Sequence, residues 1–345
     1  MPDKIKVALM THAGGAHVGA YLTALAASEA CEAVVLADPD GRYKADAQQT
    51  LGDKMKGFYT SFREMLAAEK PTMALVTMEA RLAPPVIDLA LDANCHVFAE
   101  KPACVVVKDF EPLLRKADSK HRHLMLALAN RTNPEVIAAR ELVSSGQIGR
   151  VFGVDMHLIA DQTRLTNAKY HEQWFADKKR AGGGHLIWLG IHWLDLAMHI
   201  TGSEISTVAG FITNIGKQPL NIEDSATAAI KFQNGALGTM TSGYYLDKGY
   251  HTHLRVWGSK GWLKVDTIGP TALQWYSTEG EKAGMVQQFE GEREPRGYTP
   301  FVNEAIRASA GLTDPPISNN HSLRALKTVH AIYEAADRGR TIDLK

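Results

Sequence analysis

The sequence predicts a two-domain α/β chain: an N-terminal doubly wound parallel sheet, then an α+β domain on a largely antiparallel sheet. Three observations predict it. Short apolar runs alternate with amphipathic helical stretches as far as about residue 127. Beyond that point strand-like segments follow one another, separated by tight turns. The length of 345 residues, 45% hydrophobic and 22% charged, suits two ordinary domains, 1–127 and 128–345, each able to bury a core.

The first strand is the β-branched apolar run Ile5–Met10, followed by a glycine-containing turn and a helix over about Val18–Ala27. Strands are expected at Ala33–Ala37, Met73–Thr77, His96–Ala99 and Leu124–Ala129, with helices over Pro85–Ala93 and near Asp109–Ser119. After Asn130 the texture changes. Pro134–Ser145 reads as a helix stopped by Gly146. Strands then follow at Arg150–Ile159, Ile205–Ile212, Thr227–Phe232, Gly235–Tyr244, His253–Gly258 and Gly261–Val265. Asn234-Gly235 suits a tight hairpin, since both residue types tolerate positive φ, and Ser259-Lys260-Gly261 marks a second turn. Two helices, near Phe301–Ala310 and Ser322–Arg338, close the chain. No internal repeat or low-complexity segment is visible.

Charge and cysteine content exclude several functions. Lys+Arg and Asp+Glu are both 38, so no basic excess points to nucleic acid and no acidic tail to a charged partner. Cys31, Cys95 and Cys104 are too few and too scattered for a disulfide framework or zinc knuckle, and read as buried reduced thiols of a cytoplasmic protein. The start MPDKIKVALM lacks the apolar stretch and cleavage site of a secretory leader. The most apolar stretch, His185 to Gly202, is interrupted by three histidines and an aspartate, so no span of the ~18 residues a bilayer requires is present.

The turn after the first strand reads Thr11-His12-Ala13-Gly14-Gly15-Ala16-His17-Val18-Gly19. A dinucleotide fold needs glycines here for a tight turn and close backbone approach to a diphosphate, which then rests on the helix N-terminus. Against G-x-G-x-x-G the best register is His12-x-Gly14-x-x-His17, with only the central glycine in place. Asp38 ends the second strand, 24 residues after Gly14, where an acid takes the ribose hydroxyls. Its charge repels a 2′-phosphate and favours NAD, while nearby Arg42 leaves NADP open.

Phe98-Ala99-Glu100-Lys101-Pro102, together with Gly182-Gly183-Gly184-His185 running on through Trp188 to His192-Trp193-Leu194-Asp195, resembles the Gfo/Idh/MocA family of oxidoreductases. The resemblance extends over Ser145-Gly146-Gln147-Ile148-Gly149, Asp224 to Thr239, Gly258-Ser259-Lys260-Gly261, Phe301 to Arg307 and Gly339-Arg340. It implies a Rossmann domain, then a domain with an open antiparallel sheet whose face commonly joins subunits into a homodimer or homotetramer. It places nicotinamide in a cleft between the domains, and it implies a sugar, inositol or polyol substrate. The cofactor set it suggests is His12, Gly14, Gly15, Ala16, His17, Asp38, Thr77, Glu100 and Lys101. Glu79 joins them, standing where the family usually carries an asparagine.

Oxidising a carbinol requires that the hydroxyl proton leave as the hydride does. Lys101 fits the cation that stabilises the developing alkoxide, and His192 a neutral imidazole that accepts the proton. Family members usually carry an aspartate four residues before that histidine; here the position is Trp188, which can stack on a sugar ring but cannot take a proton. Glu79, Tyr170, His171 and Asp195 are candidates to supply the missing acid. Arg131 is expected either to contact substrate or to cap the helix after Pro134. His185, His192 and His199 recur every seven residues and could share a helix face, but none of the 14 histidines has a ligand set at metal spacing, so no metal is expected. Two rival functions remain at this level. One is a sugar-modifying enzyme that keeps NAD bound and oxidises only transiently; the other is a dinucleotide binder without catalysis.

Overall fold

Ile5–Thr11 (β1) is apolar on both faces, as a strand at the centre of a parallel sheet must be, and its burial follows that pattern. The computed structural model describes residues 4–344; Met1-Pro2-Asp3, on which the leader reading partly rests, lie outside the described residues. Around β1 assemble Cys31–Ala37 (β2), Met55–Tyr59 (β3), Met73–Thr77 (β4), His96–Ala99 (β5) and Leu124–Leu126 (β6). Their order is β3-β2-β1-β4-β5-β6, with every pair parallel. The strand order reverses between β1 and β4, and in such sheets ligands bind outside the carboxyl ends of the strands at that point.

Helices Val18–Ala27, Lys44–Leu51, Phe62–Glu69, Ala83–Asp92 and Val107–Ser119 connect the strands. The sequence reading assigns nothing between 42 and 72, where the structure has two helices and β3. The signal is weak there: β3 is a half-exposed edge strand, and Lys44–Leu51 buries only Ala47 and Leu51. The chain packs as two units. The first runs to Ala129 and takes in Lys179–Gly182 and Pro295–Leu323, so that helix Tyr298–Ser309 packs on Val18–Ala27.

The second unit comprises Asn130–Lys178, Gly183–Glu294 and the chain from Arg324 onward. Its sheet is built from Val151–Asp161 (β7), Ile205–Thr213 (β8), Ser225–Phe232 (β9), Leu237–Leu246 (β10), Tyr250–Gly258 (β11), Gly261–Val265 (β12), Leu273–Ser277 (β13), Val286–Gln288 (β14) and Ile342–Asp343 (β15). The order is β14-β13-β12-β11-β7-β10-β9-β8-β15. All pairs are antiparallel except β7 with β10. The Asn234-Gly235 hairpin forms between β9 and β10, with Gly235 at φ 87°. Sequence reasoning misses β13 and β14, which are short and weakly patterned, and the final strand that the resemblance implies at Gly339-Arg340 forms as β15, two residues later. Residues alternate along β9 and β10. One face of the sheet packs on helices Ile191–Thr201 and Pro134–Ser144. The opposite face carries Thr227, Ala229, Lys231, Leu237 and Thr239, and Phe211 of β8 is 81% exposed on it.

Candidate active site

At the carboxyl end of the first sheet, Thr11 and Thr77 lie side by side on β1 and β4. Thr11 Oγ1 donates to the Thr77 carbonyl at 3.1 Å, and Thr77 Oγ1 donates to the Ala16 carbonyl at 2.6 Å. Gly15 sits where no other residue fits: a Cβ there would come within 2.2 Å of Thr11 Oγ1 and 2.9 Å of Val18 Cγ2. His17 follows in the left-handed region, at φ 57°. Helix Val18–Ala27 then opens with no side-chain cap and no acid in its first turn, so no side chain opposes the positive end of its dipole. His12 braces the turn from the other side. Burial lowers its pKa, and its Nε2 accepts the Glu79 N–H at 2.9 Å.

Asp38 is fully buried at the end of β2. Its carboxylate accepts the backbone N–H groups of Asp40, at 3.2 Å, and Tyr43, at 2.9 Å. It builds the turn that carries a second acid, Asp40, which sequence reasoning missed; Asp40 accepts the Ala13 N–H of the glycine turn at 2.8 Å. Tyr43 also reaches that turn, donating to the Gly15 carbonyl at 3.2 Å. Arg42 lies over the Tyr43 ring, 5.9 Å from its centroid.

Lys101 follows β5 and is 1% exposed, so it is not a solvated surface lysine. The Lys101–Pro102 peptide is cis. Beside it Glu100, equally buried, accepts a short hydrogen bond from Tyr21, and His17 Nδ1 lies 3.2 Å from the same oxygen. Tyr298 is 3.1 Å from His17 Nδ1. Burial and the Glu100 charge hold the Tyr21 and Tyr298 phenols well above their ordinary range, so both stay protonated donors. Glu100 thereby ties the strand that delivers Lys101 to the glycine turn. Glu79 is also buried, but it is matched: Arg180 grips it with bonds of 2.9 and 2.5 Å, and Arg81 lies at 3.4 Å. Arg180, a hundred residues away in sequence, gave no signal of this role.

In the second unit the reason for Gly183-Gly184 is steric. A Cβ on Gly183 would meet the Tyr333 hydroxyl at 2.1 Å, and one on Gly184 the Glu223 carbonyl at 2.0 Å. Glu223 then fastens the segment. Its carboxylate accepts the N–H groups of Gly184, at 2.6 Å, and Leu186, at 3.0 Å, and the Tyr333 hydroxyl at 2.8 Å. Burial raises its pKa. Leu186–Gly190 forms a π-helical turn, a feature frequent at functional sites, before helix Ile191–Thr201 presents a half-buried His192. The wide turn breaks the expected common face of His185, His192 and His199. His185 instead turns inward onto Ser242 Oγ at 2.6 Å, and His199 meets Arg140.

The other candidates separate clearly. Arg131 neither caps the helix after Pro134 nor stands alone: it forms a buried bidentate pair with Asp195, at 2.8 and 2.6 Å. His171 lies 2.6 Å from the Leu165 carbonyl. Trp188 enters an aromatic cluster, with Trp174 and Phe175 each 5.4 Å away, and Tyr170 packs at a tilt on Phe175 at 4.9 Å. Among the described residues, no three His, Cys, Asp or Glu side chains are placed to hold a metal. Among the described residues, no helix is long and apolar enough to cross a membrane.

Residues 11–128 match the oxidoreductase family with an NAD-binding Rossmann fold, and residues 136–264 match the GFO/IDH/MocA C-terminal domain. The chain belongs to the Gfo/Idh/MocA family of oxidoreductases. It is 22% identical to D-xylose 1-dehydrogenase (NADP+) of Haloarcula marismortui, over 94% of this chain and 89% of that one. It is 24% identical to myo-inositol 2-dehydrogenase of Thermotoga maritima, over 73% and 74%. An oxidoreductase domain protein from Kribbella flavida shares the fold with a TM-score of 0.88 at 22% identity, both chains covered in full. Levoglucosan dehydrogenase, solved with NADH and L-sorbose, does so at 0.85 and 18% identity, with 99% of each chain covered. Where an aspartate is expected before His192, Trp188 stands in its aromatic cluster, and two of the acids expected as replacements, Asp195 and Glu79, are each ion-paired.

Proposed function

We propose that the chain is an NAD-dependent dehydrogenase of a CH–OH group on a sugar, polyol or inositol, with Lys101 and His192 handling the hydroxyl proton. The burial of Lys101 carries the reading. Lys101 stands directly after β5, at the carboxyl edge of the parallel sheet, where ligands bind. The first unit fits the cofactor: the tight glycine turn leads into the uncapped start of helix Val18–Ala27, and Asp38 and Asp40 disfavour a 2′-phosphate. His12, Gly14, Gly15, Ala16, His17, Asp38, Thr77, Glu79 and Glu100 are the residues that would hold it. Bound nicotinamide supplies the acceptor or donor of the hydride. Lys101 places positive charge beside the carbinol oxygen, and His192 accepts the proton as oxidation proceeds or returns it on reduction. Trp188 and Tyr170 contribute ring faces and a hydroxyl to the substrate, whereas Arg131 and Asp195 act as a structural pair.

The sugar and inositol dehydrogenases among the relatives support this substrate class. The exposed sheet face, with Phe211 and Leu237 among alanines and threonines, is read as a self-association surface for a homodimer or homotetramer. Three buried, unbonded cysteines suit a cytoplasmic location. The test is NADH formation on a panel of sugars, inositols and polyols, with NAD and NADP compared. Turnover with NAD at least about 10-fold more efficient than with NADP is expected. Tight NAD binding without NADH accumulation would instead favour a closed redox cycle, to which the loss of the aspartate at Trp188 already leans.

A further inference from the structure

We infer that the second unit holds a carboxylate-binding subsite formed by Arg164 with Tyr170, Tyr244 and Tyr250, and that the substrate is therefore a sugar acid. The inference rests on the dehydrogenase reading above for what happens to the sugar, but its own evidence is independent of Lys101 and His192.

The buried arginines of this unit each have an acid: Arg131 pairs with Asp195, and Arg324 with Glu204 at 3.1 Å. Arg164 does not. Half-buried in the loop after β7, its guanidinium meets only phenols. It donates to Tyr250 at 2.9 Å and lies beside the Tyr244 and Tyr170 hydroxyls. The buried Tyr244 hydroxyl has Tyr170 and Arg164 as its hydrogen-bonding neighbours. Next to it, His185 packs edge-on at 4.4 Å, and its buried Nε2 has no hydrogen-bond partner. Buried polar groups are almost always satisfied, so this nitrogen, beside a guanidinium held by phenols and no acid, marks a missing ligand.

The chemistry of the pocket selects that ligand. His185 is held down to about 3 by burial and adds no charge. Glu223, the nearby acid, already accepts three hydrogen bonds and has its own pKa raised by burial. Burial also raises the Tyr170 and Tyr244 phenols, which stay protonated donors. One positive charge with several donors matches a carboxylate, which takes the guanidinium fork on two oxygens. A phosphate monoester, near two negative charges at neutral pH, would leave one unmatched. A neutral sugar would leave the guanidinium unmatched. The same residues run into the aromatic cluster: Tyr170 packs at a tilt on Phe175, and Phe175 on Trp188, one helical turn before His192. A ring stacked on Trp188 with its carboxylate toward Arg164 satisfies every group.

The test compares D-glucuronate and D-galacturonate with D-glucose and D-galactose, in wild type, Arg164→Met and Tyr250→Phe. NADH formation and quenching of tryptophan fluorescence in the NAD-loaded protein are both followed. A charge-assisted hydrogen bond contributes about 1.5–3 kcal/mol. The wild type is therefore expected to favour the acids by roughly 10–150-fold in kcat/KM. Arg164→Met should reduce that preference to below about threefold, mainly through KM, and Tyr250→Phe should weaken it by about fivefold. Equal use of acids and neutral sugars, or a preference that survives Arg164→Met, overturns the subsite and leaves the dehydrogenase standing. Fluorescence-detected acid binding that needs Arg164, without NADH formation on any of the sugars, supports the subsite and counts against the dehydrogenase. No binding of either acid overturns the subsite.

Discussion

Lys101 and Arg164 are both cations withdrawn from water, and they are held in opposite ways. Lys101 comes from a five-residue motif at the end of β5, and its neighbour Glu100 is locked by Tyr21 and His17. Arg164 comes from a loop and is held only by phenols from β10, β11 and its own loop. The first arrangement is set by backbone and a few local contacts; the second is assembled from segments some eighty residues apart. Catalytic groups shared across a family suit the first design, and selective ones the second, because a loop can change its side chains without disturbing a sheet.

The largest expected effect breaks the first half of this contrast. Lys101→Met keeps the buried volume and removes the charge. It should lower kcat by about 10³-fold, within the range for loss of a proton-handling group, while NAD titrations remain within about threefold of wild type. A fall in NAD affinity matching the fall in kcat would assign Lys101 to binding alone.

The two glycine segments come next. Gly184→Ala drives a Cβ into the Glu223 carbonyl and should cost about 3 kcal/mol, lowering Tm by roughly 6–12 °C in a thermal melt. Gly15→Ala presses on Thr11 in the cofactor turn, so its main effect should be a rise of about 10-fold or more in the Kd for NAD, read by titration. If both variants only lowered Tm, the first turn would be no more than a structural bend.

Acid sharpens the contrast in the second unit. His185 has a folded pKa of about 3 against 6.5 for the free side chain. Its contribution to stability is therefore complete above pH 6.5 and is lost as pH falls toward 3, at up to about 1.4 kcal/mol per pH unit. His185→Gln should flatten the denaturation profile between pH 6 and 4 (about 2 kcal/mol of difference). An unchanged slope would mean that another group, such as His330, sets the acid limit. The smallest effect is expected at Trp188. Trp188→Leu should raise KM for the sugar about 3–10-fold with little change in kcat, the scale of one stacking contact.

Much of the fold was legible. β1, β4, β5 and the helix Val18–Ala27 were readable because buried parallel strands are apolar on both faces and the helix has a clear period. β3, β13 and β14 were not, because short or edge strands carry half the hydrophobic signal. The proposals for Lys101 and His192 come from motifs, and that for Gly15 from its place in the turn. Trp188 was visible as a departure, but its partners Trp174 and Phe175 were not. Asp40, Arg180, Glu223 and Arg164 were illegible for one reason: each acts through a partner distant in sequence, and spacing alone does not pair a glutamate with an arginine a hundred residues on. Arg131, read as a substrate contact or a helix cap, and Asp195, read as a substrate group or a structural hydrogen-bond acceptor, are each other's partner, and their pairing was illegible for the same reason.

The most direct test of Lys101 and His192 as the proton-handling pair is NADH formation by the wild type, Lys101→Met, His192→Asn and the double variant on the best substrate of the sugar panel. The account predicts saturable wild-type turnover, a loss of at least about 10²-fold in each single variant, and a double variant little worse than the weaker single, as for groups acting as one unit. Undiminished turnover in either single variant would contradict it.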